Sequence, residues 1–455
     1  MTAYRCEFAW LPEGRVAAEV LVDVEGGRIV GLHERDQGAR EDGSVSDAGV
    51  EQLRGLVLPG AANVHSHAFH RALRGRTQQG PGTFWSWRDH MYALAARLDP
   101  DTYLALARSC FAEMVLAGFT AVGEFHYLHH QPGGSAYVDP NEMGHVLIEA
   151  ARQAGLRITL LDTCYLAGGF GVAPEGVQRR FDDGDAALWA ARVEDLHRGY
   201  TGADDVTIGA AVHSVRAVPA AEIPVVAAWA TARETPVHVH LSEQPAENEA
   251  CLAAHGCSPT ALLAGCGALD ARTTAVHATH LDAADIGALA GALAGVCLCP
   301  TTERDLGDGI GPAHRLLAAG VPVSVGSDSH AIVDAFEETR AIELDLRLQT
   351  GERGHLVVEQ LLRALTVDGH ARLGVPNAGA LQVGARADLV AVDLRSVRTA
   401  GGADVDHAAA AVVFGAAAAD VTDVVVDGRR VVRDRVHRLG DVGALLTEAI
   451  AAVWP

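Results

Sequence analysis

The chain has 455 residues, enough for one large domain and a smaller one; 49% hydrophobic and 21% charged residues make an ordinary globular composition. Its formal charge is -22, from 36 basic against 58 acidic side chains. Such a body repels nucleic acid and anionic lipid, so neither is an expected partner, and an anionic metabolite would need a local cluster of arginine. No lysine occurs in the chain, which removes Schiff-base chemistry, the phosphate-binding lysine loop and any metal site bridged by a modified lysine.

The opening "MTAYRCEFAWLPEGR" lacks a basic segment followed by a long apolar one, so no signal peptide is expected. No run of about 18 uninterrupted apolar residues predicts a membrane span. The eight cysteines are scattered, the closest pair is Cys297 and Cys299, and there is no Cys-x-x-Cys. They read as free thiols in a reducing cytoplasm. Residues 15–32, "RVAAEVLVDVEGGRIVGL", alternate in polarity around a Gly-Gly turn and predict hairpin strands.

Eight short apolar runs follow, each stopping at a polar cluster. The first is Leu56–Leu58, ending in "PGAANVHSH"; the next are "FTAVGEFHY" (119–127), "RITLLDTCY" (157–165) and "VTIGAAVHS" (206–214). Then come "PVHVHLSE" (236–243), "TTAVHATHL" (273–281), "GVCLCPTTE" (295–303) and "VPVSVGSDSH" (321–330). Near-continuous apolar runs suit parallel strands buried on both faces, and most gaps hold helix-prone stretches such as "TYLALARSCFAEMVLAG" (102–118). The pattern predicts an α/β fold, a (β/α)8 TIM-like barrel, with a doubly wound open sheet as the rival. Past residue 375, "GARADLVAVDL" and "DVVVDGRRVVRD" again read as hairpin strands. The expected division is a small β domain built from 1–56 and 375–455 beside a barrel spanning 57–374.

His65, His67, His126, His213, His240, Glu243, His277 and Asp328 all lie at or just past the C-terminal end of a run. In a barrel that face carries the chemistry. His65 and His67 are two apart on an extended chain, so both imidazoles can reach one ion. A lone His-x-His is weak evidence, but His240, His277 and Asp328 end three later runs. Imidazoles with a carboxylate suit zinc or iron.

"PGAANVHSHAFHRAL", "HVHLSEQ", "VHATH" and "GSDSH" resemble the amidohydrolase superfamily. "GTFWSWRDHMY", "GEFHYLHH", "HSVRAV" and "TTERDLGDGI" are similar, more narrowly, to the formimidoylglutamate deiminases of histidine degradation. The resemblance spans essentially the whole chain. It implies a barrel with a small β-sandwich and metal ligands His65, His67, His240 and Asp328. His238 is left to packing and His280 outside the site. It also implies a single divalent ion, zinc or else iron, since two-metal members use a lysine on the fourth strand that is lacking here. Glu243 matches the proton shuttle, Asp328 a group orienting water, and His277 a hydrogen-bonding partner at the attacked centre. Arg88, Arg216, His213 and Tyr127 match the substrate-contacting positions. His70 stands where better-known members carry glutamine, a departure that bears on substrate choice. His126, His129 and His130 read as supporting or solvated loop residues.

The implied reaction is hydrolysis of N-formimino-L-glutamate, a small anionic substrate, to N-formyl-L-glutamate and ammonia, by a cytoplasmic homodimer. The alternatives are another deaminase of the superfamily, acting on a guanine-, adenosine- or pterin-like ring, or a barrel scaffold without catalysis.

Overall fold

The computed structural model describes residues 2–34 and 49–454. The N-terminal segment forms β1 (Thr2–Leu11), β2 (Arg15–Glu25), β3 (Arg28–Glu34) and β4 (Val50–Pro59). Gly26 and Gly27, with φ of 56° and 78°, make the two-residue turn that a right-twisted hairpin needs. Then come the barrel strands: β5 (Ala61–Ser66), β6 (Phe119–His126), β7 (Arg157–Cys164), β8 (Val206–Ser214), β9 (Val237–Leu241), β10 (Thr273–His277), β11 (Gly295–Leu298) and β12 (Val323–Val325). Each pairs in parallel with its neighbours in sequence. A bridge between Ser66 and Asp328 joins the last strand end to the first and brings the sheet round into a barrel. The expected barrel is therefore observed.

The tail adds β13 (Leu389–Val392), β14 (Val421–Val426), β15 (Arg429–Arg433) and β16 (Val436–His437). With the N-terminal strands they form one mixed sheet in the order β16-β15-β14-β13-β4-β1-β2-β3. It buries its own core, including Tyr4, Cys6, Val20, Val22, Leu53 and Leu389. The last helix, Val442–Val453, returns to the barrel and packs on the helix Pro100–Leu116. Among the described residues no helix is long and apolar enough to cross a membrane.

One strand differs from expectation. The run Leu56–Leu58 lies in β4, pairing with β1 and β13 in the small sheet, and the first barrel strand is the Ala-Ala-Asn-Val-His-Ser that follows Pro59-Gly60. Proline has no N–H to give a ladder, and Gly60 has no room for a side chain: a Cβ there would lie 2.1 Å from Thr120 Oγ1. The chain thus changes sheets within two residues, and an apolar run adjoining an apolar strand hides the boundary.

The junction is polar and buried. The Asp388 carboxylate accepts from Arg157 Nη1 (2.9 Å) and from the Asp427 backbone N–H (2.8 Å), and its carbonyl accepts from Gly60 N–H (3.0 Å). Arg157 Nη2 donates to Asp427 as well, at 2.7 Å. Asp388 is 1% exposed, so deleting its carboxylate leaves the Arg157 guanidinium in low dielectric with one carboxylate, Asp427, where it had two. Asp388→Ala is expected to cost about 3–5 kcal/mol in urea unfolding, the range for a broken buried pair.

His370 Nε2 donates to the Gly60 carbonyl at 3.0 Å, and burial, above all, lowers its pKa from 6.5 to about 4. The unfolded chain then binds the proton first as pH falls. The stabilisation from neutral His370 is complete above pH 6.5 and is lost progressively down to pH 4, roughly 2 kcal/mol of it by pH 5. His370→Gln keeps a donor for Gly60 without titrating. Urea midpoints at pH 7.5 and 5.0 should converge more closely in that variant than in wild type.

Candidate active site

The C-terminal strand ends converge on one cluster. His65 Nε2 and His67 Nε2 each lie 3.3 Å from Asp328 Oδ1. His240 Nε2 faces His65 Nε2 at 3.1 Å. All four residues are at most 7% exposed. The ring orientations are set from behind: His67 Nδ1 donates to the Phe125 carbonyl (3.0 Å) and His240 Nδ1 to the His213 carbonyl (2.8 Å). With the proton on Nδ1, each Nε2 turns a lone pair inward. Burial lowers the pKa of His65 to about 3 and of His67 to about 4, which keeps both imidazoles neutral. His67 and His240 thus offer lone pairs toward one point, where His65 Nε2 lies 3.1 Å from His240 Nε2 with a carboxylate beside them, a set of donors that a cation would draw together. The donor set fits a divalent ion, with N and O ligands suited to zinc or iron.

The donor atoms group in two overlapping sets. His65, His240, His277 and Asp328 lie mutually within 4.8 Å, as do His67, His70 and Asp328. Asp328 belongs to both. Its carboxyl is held well below the usual range although burial opposes this, because the hydrogen bond with His65 and the charge of His277 outweigh the desolvation. His277 and Asp328 both adopt left-handed backbone, with φ of 66° and 42°. Non-glycine residues held there cost of order 1 kcal/mol each, strain of the kind that collects at functional sites.

Glu243 follows β9 and is 6% exposed. Its Oε1 lies 3.8 Å from His277 Nε2. Burial raises its pKa to about 7, with the Asp328 charge adding to the rise and the positive charges of His277 and Arg216 opposing it. His277 Nδ1 points the other way, 3.4 Å from Glu303 Oε1. Burial disfavours the imidazolium, but Glu243, Glu303 and Asp328 outweigh it and raise the His277 pKa well above its ordinary value.

The cleft over this cluster is lined by all five expected substrate-contact residues. His70 Nε2 lies 2.9 Å from Tyr127 Oη. His213 packs edge-on to Tyr127 and to Tyr165, with ring centroids 5.5 and 4.7 Å apart. Arg88 stacks on Trp85 at 4.5 Å, and Arg216 Nε lies 3.9 Å from Glu247. Both arginine Nε atoms are buried with no hydrogen-bond partner.

Other histidines fall elsewhere. His238 Nε2 donates to the Arg372 carbonyl, and His280 Nε2 to the Asp308 carbonyl. His129 and His130, expected as solvated, are 1% and 7% exposed. His130 lies 3.4 Å from Asp183, and His129 Nε2 donates to the Thr163 carbonyl. Their loop is covered because Arg192 pairs with both Asp162 and Asp183 behind it. His126, His129 and Asp162 group closely, but both Asp162 oxygens already accept from Arg192, and Oδ1 from Trp189 as well. That cluster is a structural network rather than a cation site.

Sequence reasoning passed over Glu303, Asp308, Glu247, Tyr92 and Tyr165. Asp308 groups with Glu243 and His277, and burial raises its pKa to about 9. Glu303 and Asp308 sit in the quoted "TTERDLGDGI", where three acids past a strand end, these two and Asp305, were the available signal.

Comparison with known proteins agrees with this geometry. An amidohydrolase family profile matches residues 56–431. The formimidoylglutamate deiminase of Pseudomonas aeruginosa is 39% identical over 451 residues, covering 96% of each chain. The 5-methylthioadenosine/S-adenosylhomocysteine deaminase of Halobacterium salinarum is 30% identical over 92% of this chain and 89% of its own. Among solved structures, an amidohydrolase from Brucella melitensis superposes with a TM-score of 0.91 at 33% identity, over the full length of both chains. On both grounds, the chain belongs to the amidohydrolase family.

Proposed function

We propose that the protein hydrolyses N-formimino-L-glutamate to N-formyl-L-glutamate and ammonia. The observation that carries this reading is the pairing, in one cleft, of two arginines with a His/Asp cluster and a buried carboxyl of raised pKa. The substrate has two carboxylates and a linear amidine, and an arginine fork suits a carboxylate in a chain without lysine. The P. aeruginosa relative's name points the same way.

His65, His67, His240 and Asp328 would hold one divalent ion, zinc by preference. When bound, that ion supplies Lewis acidity, allowing water to deprotonate near neutral pH. Asp328 and His277 orient the water against the amidine carbon. Glu243 takes a proton from it and returns that proton to the terminal nitrogen. A C–O bond forms; as the C–N bond to that nitrogen breaks, Asp328 accepts the remaining hydroxyl proton, that proton passes to the departing nitrogen, and ammonia leaves. Glu303 holds His277 by its Nδ1–H. His70, Tyr127 and His213, the groups close to the cluster, receive the α-carboxylate, which is bonded one carbon from the amidine nitrogen. Arg88 and Arg216 receive the distal one.

The chain would act as a cytoplasmic homodimer. Its eight cysteines are all unpaired, as a reducing compartment favours, and light scattering checks the dimer. The 30% identity to a 5-methylthioadenosine/S-adenosylhomocysteine deaminase, with Phe84 and Trp87 in the cleft, gives a ring deaminase as the second reading.

The deciding assay follows ammonia release by the zinc-loaded protein from N-formimino-L-glutamate and from 5-methylthioadenosine. Release from the first, with formyl-glutamate as product, is expected; formamide, or turnover of the nucleoside alone, overturns the proposal. Glu243→Gln should lower kcat about 10²–10⁴-fold with zinc content unchanged, as loss of general acid–base help does. His240→Ala should lose most of the zinc measured per chain after gel filtration.

A further inference from the structure

One wall of the cleft contains Arg88, Arg216, Tyr92 and Tyr165. Behind the two tyrosines lies Gln178, 8% exposed, and its surroundings decide which end of its amide is which. The backbone N–H of Glu175 donates to Gln178 Oε1 at 3.0 Å, so Nε2 faces the phenols, 3.0 Å from Tyr92 Oη and 2.9 Å from Tyr165 Oη. An amide NH₂ group only donates. Both phenol oxygens therefore accept from Gln178, and their own two protons point away from it. The two hydroxyls neighbour each other, and at most one proton can be used between them. At least one phenol O–H is left for the cleft.

Arg88 lies over the Tyr92 ring at 5.4 Å, and the charges of Arg88 and Arg216 both reach Tyr165. This wall is a concentration of donors. A carboxylate, which only accepts, satisfies it. A carboxamide brings two N–H groups of its own against cations and O–H, and leaves buried donors unpaired.

We propose that Tyr92 and Tyr165, held by Gln178, complete the arginine pair as the element that selects a carboxylate over a carboxamide at the far end of the substrate. This rests on the deiminase reading above. Tyr92 and Tyr165 touch substrate; Gln178 is a positioning residue that acts through the direction of their protons.

The test compares N-formimino-L-glutamate with N-formimino-L-glutamine on the zinc-loaded enzyme. Wild type should prefer the diacid by about 100-fold or more in kcat/KM, the scale expected of mismatched polar groups. Tyr92→Phe/Tyr165→Phe should raise KM for the diacid about tenfold, with kcat within about twofold, and shrink the preference by a similar factor. Gln178→Glu is the sharper variant. It still accepts from Glu175 N–H, but its second oxygen draws the phenol protons out of the cleft. It should raise KM at least as much as the double variant, which a merely structural role would not do. Calorimetric titration with glutarate, a bare dicarboxylate, gives a readout that needs no turnover and applies to the single phenylalanine variants if the double one folds poorly. Binding about tenfold weaker in the variants is expected. KM, preference and glutarate affinity all within twofold of wild type in the variants overturn the inference. If wild type releases no ammonia from the diacid, the deiminase reading fails, while the glutarate titration still judges the wall.

Discussion

The structure turns on the seam where the barrel closes. Asp328 N–H donates to the His65 carbonyl (3.0 Å) and His67 N–H to the Asp328 carbonyl (3.2 Å), so the backbone bonds that join β12 to β5 are made by three of the candidate metal ligands themselves. Gly326 makes the approach possible. A Cβ at that position would lie 2.8 Å from both Cβ and the carbonyl oxygen of His65. Closing the sheet and bringing these candidate ligands together are thus one event. The left-handed backbone at Asp328 and His277 is sustained by that closure, since neither residue would choose it in isolation.

Behind the seam, the barrel has to be held against a second sheet that owns both ends of the chain. Buried polar groups do this at the face opposite the chemistry. Arg157 opens β7, Asp388 immediately precedes β13, and Gly60 separates β4 from β5. Their mutual bonds leave the strand ends on the far side free to carry titratable groups. The overall charge of -22 coexists with a cleft wall that carries two guanidinium groups, those of Arg88 and Arg216. Guanidinium planes are further fixed by aromatic faces, as with Arg88 on Trp85, which lowers the entropy lost on binding.

Much of this was legible in order along the chain. Seven of the eight barrel strands coincide with apolar runs, because strands buried on both faces carry no alternation to disguise them. The misread run, Leu56–Leu58, is apolar for a different reason: it is buried in the small sheet beside β1 and β13. Periodicity reports burial, not which sheet does the burying. The same limit explains His129-His130. A histidine pair on a loop looks solvated until Arg192, more than sixty residues later, brings Asp162 and Asp183 over it.

The sequence by itself determined the strand–helix alternation and the residue types that collect at strand ends, since these follow from local hydrophobic pattern, and its motifs carried the resemblance to the family. Only the tertiary structure decided which nitrogens face inward and which carboxyls stand behind them. His67 and His240 are oriented by carbonyls of Phe125 and His213, Glu303 backs His277, and Gln178 turns two phenols. Those contacts join residues 13 to 86 positions apart, and the direction of a hydrogen bond is a property of the fold's geometry that no single stretch of chain carries.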